Sequence, residues 1–262
     1  MTPPRFTFLG TSGALTSAAR DNTSLVVEAG EVAVLVDCAG SVVHRLRRIG
    51  VDPLALSHAV VTHLHADHAF GLPSLVAQLA MLQRRAPLTV VCRPEHVEPL
   101  RTLLTVFDLW ERPGRFAVVL TPIALHVGAR AFATGPLAVS TAPNEHGAMP
   151  NFAVRVDAEC GGTVVYSSDT QPSASVVALA RGAGVLVHES TFAERDRVPG
   201  SLVAHSSAAD AGQVAARAGV SRLLLTHLGA AYHADVTVLA EEARAHFGGV
   251  VEVAEELRPY FF

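Results

Sequence analysis

Four side chains of metal-ligand type fall within six residues in the stretch Thr62-His63-Leu64-His65-Ala66-Asp67-His68, and no other feature restricts this chain as much. The stretch follows an apolar run over 59–62 that reads as a short strand. A loop at a strand end can aim alternate side chains into one cavity, and imidazole with carboxylate is the donor set that suits zinc and similar ions. In a helix His63 and His65 would lie on different faces, so the motif needs a loop. One histidine near a strand end is usually a hydrogen-bonded core or surface group, but four donors at this spacing are not explained in that way.

The rest of the chain shows what must surround such a loop. Apolar patterning predicts strands over 5–9, 24–28, 32–37, 59–62, 88–92, 116–120, 137–141, 152–156, 163–166, 185–188, 222–226 and 250–254. Helices are predicted over 41–49, 72–85, 94–107, 173–181, 207–218 and 236–247. Two β-rich blocks, each with helices, predict a layered α/β domain. No Pro/Ser-rich linker divides the chain, so one domain over 1–262, built from two similar halves, is expected.

Composition then excludes several classes. Half of the 262 residues are apolar and 17% are charged, the opposite of the balance that disorder needs. No apolar run approaches ~18 residues, which speaks against a membrane span. The opening residues lack the basic start and long apolar stretch of a signal peptide, so a soluble cytoplasmic protein is expected. A net charge of −4 provides no global basic field for nucleic acid. All 20 basic residues are arginine, which excludes a lysine Schiff base and a phosphate-loop lysine. Cys38, Cys92 and Cys160 are too few and scattered for a disulfide framework or a CxxC metal site.

The HxHxDH pattern resembles that of the metallo-β-lactamase superfamily, and the resemblance extends across nearly the whole chain. Asn144-Glu145-His146 is similar to the family's third-motif histidine segment. Tyr166-Ser167-Ser168-Asp169-Thr170 is similar to the segment of its metal-bridging aspartate, and Leu225-Thr226-His227-Leu228 to that of its last histidine. The resemblance implies an α/β fold of the αββα type, two mixed β-sheets flanked by helices. It implies two metal ions, Zn2+ most often, with Mn2+ or Fe2+ as alternatives. His63, His65 and His146 would hold one ion, Asp67, His68 and His227 the other, and Asp169 would bridge them. Two ions so placed share a hydroxide nucleophile and clamp the entering and leaving oxygens of a hydrolysis. Asp67 would also accept a proton from the attacking water.

Further segments resemble the RNase Z branch. They are Phe8-Leu9-Gly10-Thr11-Ser12-Gly13 with Arg20-Asp21-Asn22-Thr23-Ser24, and His188-Glu189-Ser190-Thr191-Phe192, similar to the branch's HEAT segment. Ala204-His205-Ser206-Ser207-Ala208 and Thr226-His227-Leu228-Gly229-Ala230-Ala231-Tyr232 continue the likeness. A leaving alkoxide needs a proton, and a histidine is suited to donate it. By this resemblance His205 is the general acid and Glu189 the carboxylate that orients it; the alternative is a purely structural hydrogen bond between the two.

The chain also departs from that branch. Asp169 follows His146 by only 23 positions, an interval in which well-known bacterial RNase Z proteins carry a long tRNA-gripping arm; 150–162 can form little more than a strand and a turn. The proline-and-lysine loop near the start is replaced by Thr16-Ser17-Ala18-Ala19-Arg20-Asp21-Asn22. Other arm-less members of the branch hydrolyse small phosphodiesters, cyclic nucleotides or aryl sulfates. The expectation is therefore a metal-dependent hydrolase of phosphodiester bonds, in a small molecule or RNA, with no membrane partner. An aryl sulfatase or lactonase of the same superfamily and a non-catalytic metal-stabilised binding protein are the alternatives. The apolar segment 72–82 is either packed on a sheet or part of a homodimer face. Arg20, Arg195 and Arg197 are candidates to meet an anionic substrate, and Phe107 and Trp110 sit near Pro113-Gly114, a loop that could flank the site. His44, His58, His96, His126, His233 and His246 match no ligand motif and read as structural or surface groups.

Overall fold

Strand alternation divides each apolar run between two cores. In β3 (Val32–Val36), Val34 and Val36 enter one cluster while Ala33 and Leu35 enter another, so both faces of the strand are buried. The computed structural model describes residues 3–198 and 204–262. Its first sheet contains β1 (Arg5–Gly10), β2 (Ser24–Ala29), β3, β4 (Leu56–Val60), β5 (Leu88–Cys92), β6 (Val118–Pro122) and the C-terminal β14 (Pro259–Phe261). The second contains β7 (Ala129–Thr134), β8 (Leu137–Asn144), β9 (Asn151–Ala158), β10 (Thr163–Tyr166), β11 (Val185–Glu189), β12 (Arg222–Thr226) and β13 (Val250–Val253).

The strand orders are β14-β1-β2-β3-β4-β5-β6 and β13-β12-β11-β10-β9-β8-β7. In each sheet antiparallel hairpins lead into a parallel run: β3 through β6 in the first, β10 through β13 in the second. The two halves thus repeat one plan, and β14 returns to pair with β1.

Phe6, Phe8 and Val34 from one sheet and Phe152, Val164 and Leu224 from the other share the core between the sheets. The outer face of the first sheet is covered by α1 (Val42–Arg48), α3 (Leu72–Met81) and α4 (Val97–Val106), through Leu46, Leu75, Leu79 and Leu100. The outer face of the second is covered by α5 (Ala174–Ala180), α6 (Ala208–Ala218) and α7 (Thr237–His246). This is the expected αββα sandwich. No helix among the described residues is long and apolar enough to cross a membrane.

Strands β7 and β14 were not among the expected elements, and a four-residue helix, α2 (Ala66–Ala69), follows β4 where only loop was expected. The interval 146–169 holds β9, a turn over 159–162 and β10, paired antiparallel. It has no room for an arm, as its length predicted.

Candidate metal centre

Every candidate ligand stands just past the C-terminal end of a strand, at one edge of the two sheets. His63 follows β4, His146 follows β8, Asp169 follows β10 and His227 follows β12. Three turn residues at this edge, Asp37, Ser168 and His227, have φ of 59°, 53° and 54°. Non-glycine residues rarely adopt this left-handed region, at a cost of about 1 kcal/mol or more, and such strain collects where a side chain must be aimed against local preference. His63 and His65 lie on loop, as the motif required, whereas Asp67 and His68 lie on the single turn of α2.

The donor atoms converge in two sets. In the first, His65 Nδ1 lies 3.2 Å from His63 Nε2 and 3.0 Å from His146 Nε2. Asp169 Oδ2 is 3.7 Å from His63 Nε2 and 3.9 Å from His146 Nε2. In the second, His68 Nε2 is 3.7 Å from Asp67 Oδ2 and 3.3 Å from Asp169 Oδ1. His227 Nε2 is 3.5 Å from Asp67 Oδ2 and 3.1 Å from Asp169 Oδ2. Asp169 belongs to both sets, and within each all donor atoms lie within 4.8 Å of one another.

Outer partners decide which nitrogen faces inward in four of the five rings; the fifth, His65, turns Nδ1 to the cluster. His146 Nδ1 donates to the Ala204 carbonyl at 2.7 Å, and His68 Nδ1 donates to Asp37 Oδ2 at 2.8 Å. His227 Nδ1 lies 3.0 Å from Thr191 Oγ1 and His63 Nδ1 3.2 Å from Thr62 Oγ1. These contacts leave the Nε2 atoms free to point at the centre, the arrangement that metal-binding histidines adopt. His68 Nε2, His227 Nε2 and Asp169 Oδ1 are buried and make no hydrogen bond. Three orphaned polar atoms facing one point are costly unless a cation meets them. The residues therefore fit a divalent metal, with nitrogen and oxygen donors of the type zinc takes.

Charge states agree with that reading. Burial, together with the neighbouring His68, keeps the His63 imidazole well below its ordinary value, and burial likewise lowers His65. Both are thus neutral, the form that ligates. Burial also acts to lower His227, but Asp169 and Asp67 outweigh it and push the ring up to about 10. His68 is raised well above its ordinary value by Asp169 and Asp37, again against burial. Asp169 is held well below the usual carboxylate range, because His227 and His68 overcome its burial.

Beside this cluster, His205 Nδ1 donates to Glu189 Oε1 at 2.9 Å. Glu189 is fully buried and also accepts from the Thr170 backbone N–H and the Thr191 hydroxyl, each at 2.7 Å. Despite the desolvation, His205 keeps its carboxyl below the ordinary value, and Glu189 raises the imidazole in return. The His205 ring stacks 5.2 Å from that of His227.

His65, Asp67, Asp169, His205 and His227 open onto one cavity of about 610 Å³. Its other wall is Ala14, Leu15, Ala66, Leu228 and Ala230, with no arginine among the described residues. Two glycines pack the rim closely. A Cβ on Gly13 would lie 3.1 Å from the His227 ring, and one on Gly229 only 2.4 Å from the Thr191 carbonyl oxygen.

The arginines considered as substrate contacts have other work or lie in the open. Arg20 donates to Thr11 Oγ1 and the Ala254 carbonyl, pinning its loop to the C-terminal region. Arg197 bonds Glu194 and Asp210 beside the start of α6, and Arg195 is exposed. Pro113-Gly114 does not flank the site: it lines a separate cavity with Met81, Arg85 and Phe116. Trp110 packs on the outer core and under Arg101.

Sequence reasoning did not single out Asp37, which takes the Thr62 N–H, the Thr62 hydroxyl and His68 Nδ1. Its one signal was an acid closing the apolar strand 32–37 at the edge that also carries His63.

The chain resembles known proteins along its length. The family model described as Anti-Pycsar protein Apyc1 matches residues 4–229. The ribonuclease Z of Haloferax volcanii is 31% identical, with 96% of this chain and 93% of that protein covered. The ribonuclease Z of Pseudomonas putida is 30% identical, covering 97% of this chain and 95% of that protein. Among solved structures, the metallo-β-lactamase fold protein YhfI from Bacillus subtilis superposes with a TM-score of 0.82 at 23% identity, covering 99% of each chain. The short form of human tRNase Z gives 0.81 at 20% identity, covering 98% of each.

Proposed function

The chain belongs to the family of Anti-Pycsar protein Apyc1, in the ribonuclease Z-like branch of the metallo-β-lactamase superfamily, and from that membership we propose a phosphodiesterase that acts on small substrates at two divalent ions. It is a metal-dependent hydrolase. The observation that carries the proposal is the pair of donor sets joined by Asp169, with the His205–Glu189 pair on the same cavity.

In this reading His63, His65, His146 and Asp169 would hold one ion, and Asp67, His68, His227 and Asp169 would hold the other, zinc in preference. Bound there, the ions supply Lewis acidity, activating water near neutral pH and neutralising charge on the substrate oxygens. Asp67, on the cavity side of the cluster, accepts the proton of the attacking water. His205 has Nδ1 tied to Glu189, so Nε2 is the nitrogen left to protonate the leaving oxygen. The buried Glu189 favours the imidazolium that this step requires. Ala14, Leu15 and Leu228 offer the body of the substrate an uncharged wall, which suits a compact ester better than a long polyanion. The short β9–β10 connection supports the same choice.

We read residues 1–262 as one domain, because strands of both halves share the core between the sheets. We also propose that Phe70 and Met81, exposed next to and at the end of α3, belong to a homodimer face. A monomeric mass at micromolar concentration would contradict it.

The test compares turnover of a phosphodiester, an aryl sulfate and a lactone by one zinc-loaded preparation. Preferred phosphodiester turnover at two bound equivalents is expected. Faster sulfate or lactone turnover would reassign the substrate, and turnover of none would leave a metal-stabilised binding protein.

A further inference from the structure

Thr191 lies between the two functional parts of the site and touches both. Its hydroxyl oxygen is 2.7 Å from Glu189 Oε2 and 3.0 Å from His227 Nδ1. We infer that Thr191 is a positioning residue through which Glu189, the partner of His205, also orients the metal-facing ring of His227. The inference rests on the reading of His227 as a ligand.

An ionised carboxylate only accepts hydrogen bonds. Glu189 is fully buried, and its two oxygens receive three donors: His205 Nδ1, the Thr170 N–H and the Thr191 hydroxyl. The single hydroxyl proton of Thr191 is therefore directed at Glu189. The His227 carbonyl oxygen, 3.2 Å away, is the more distant competitor for it. With its proton committed, Thr191 Oγ1 can only accept from His227, so the His227 Nδ1 must carry hydrogen. In the neutral ring Nε2 then presents its lone pair, and Nε2 is the atom 3.1 Å from Asp169 and 3.5 Å from Asp67. One buried carboxylate thus sets the direction of two imidazoles, His205 directly and His227 through a hydroxyl.

The backbone keeps this chain of contacts in register. Glu189 ends β11, and two residues on the Thr191 N–H donates to the Ser206 carbonyl beside His205, at 3.1 Å. The Gly229 N–H donates to the Thr191 carbonyl at 3.1 Å, where a side chain on Gly229 would collide. Thr191 is thereby held between the His205 segment and the loop that follows His227.

Zinc titration of the ion-free full-length protein by calorimetry tests this, with wild type, Thr191→Val and Thr191→Ser side by side. Valine keeps the shape and removes the hydroxyl; serine keeps the hydroxyl. Outer partners of metal ligands are worth roughly 10–100-fold in affinity, so Thr191→Val should lose about that factor for the ion whose donor set includes His227. Thr191→Ser should stay at the wild-type value. If Thr191→Val does not fold, Thr191→Ala removes the same hydroxyl with less bulk and is expected to show the same loss. Wild-type affinity in the hydroxyl-less variant, or equal loss in Thr191→Ser, would overturn the inference. A wild-type protein that binds no zinc would overturn the metal reading and the inference with it, and that failure is seen in the wild-type arm alone.

Discussion

At the scale of single residues, His205 and the ligand histidines do different work in the proposed reaction. His205→Ala should lower kcat by about 10²–10⁴-fold on an alkyl phosphodiester, the usual worth of a general acid. On a p-nitrophenyl ester the loss should be small, because that leaving group departs without a proton. Equal losses on both substrates would deny the acid role. The raised histidines predict a pH dependence of metal binding. His227, pushed up to about 10 from an ordinary 6.5, gives the ion-free protein stability that is fully present below 6.5 and lost as pH rises through about 10. A metal ion must displace that proton and the one on His68, so zinc affinity should climb with pH throughout the range below about 10. Near neutrality, calorimetry in buffers of different ionisation heat should register the release of roughly two protons. A binding heat independent of buffer would contradict this. The candidate ligands of the stretch 63–68 were legible as a dense cluster of donors, whereas His146, Asp169, His227, Glu189 and His205 were legible only through the family resemblance of the segments that carry them. Asp37 and the role of Thr191 were not, since both act through contacts made only when distant strand ends meet.

At the scale of elements, the His205 segment depends on a well-made helix start. Ser207 caps α6, accepting from the Asp210 N–H, while the Asp210 side chain accepts from the Ser207 N–H. Gly219 closes the helix at a φ of 70°. Ser207→Ala should cost about 1 kcal/mol of stability, read as a lower urea midpoint with unchanged slope. No change would mean that Arg197, which also bonds Asp210, carries the helix start by itself. Most elements were readable because their apolar runs alternate or repeat at helical spacing. Strand β14 was not: it has three residues and begins with proline, and it exists only by pairing with β1. Strand β7 is partly exposed along its length, so its sequence lacked the apolar contrast of a core strand. Helix α2 is one turn, too short for any periodic signal.

At the scale of the whole molecule, two halves of like plan bring their strand ends to one edge, and the proposed ions would bind both. His63, His65 and His68 come from the first half and His146, Asp169 and His227 from the second. Binding that favours the folded state stabilises by about 4 kcal/mol when free ligand is 1,000 times its Kd. Zinc should therefore raise Tm, and a chelator should lower it to the value of the ion-free protein. An unchanged Tm would argue that the halves are held by the shared core alone. The halves were visible in the sequence as two β-rich blocks, whereas the pairing of the chain ends through β14 was not. The most direct measurement is turnover of bis(p-nitrophenyl) phosphate by zinc-loaded wild type and by Asp67→Ala. Turnover in the wild type and its loss in the variant, with the fold retained, are expected. No turnover by wild type carrying two equivalents of zinc, or undiminished turnover by Asp67→Ala, would contradict the proposed function.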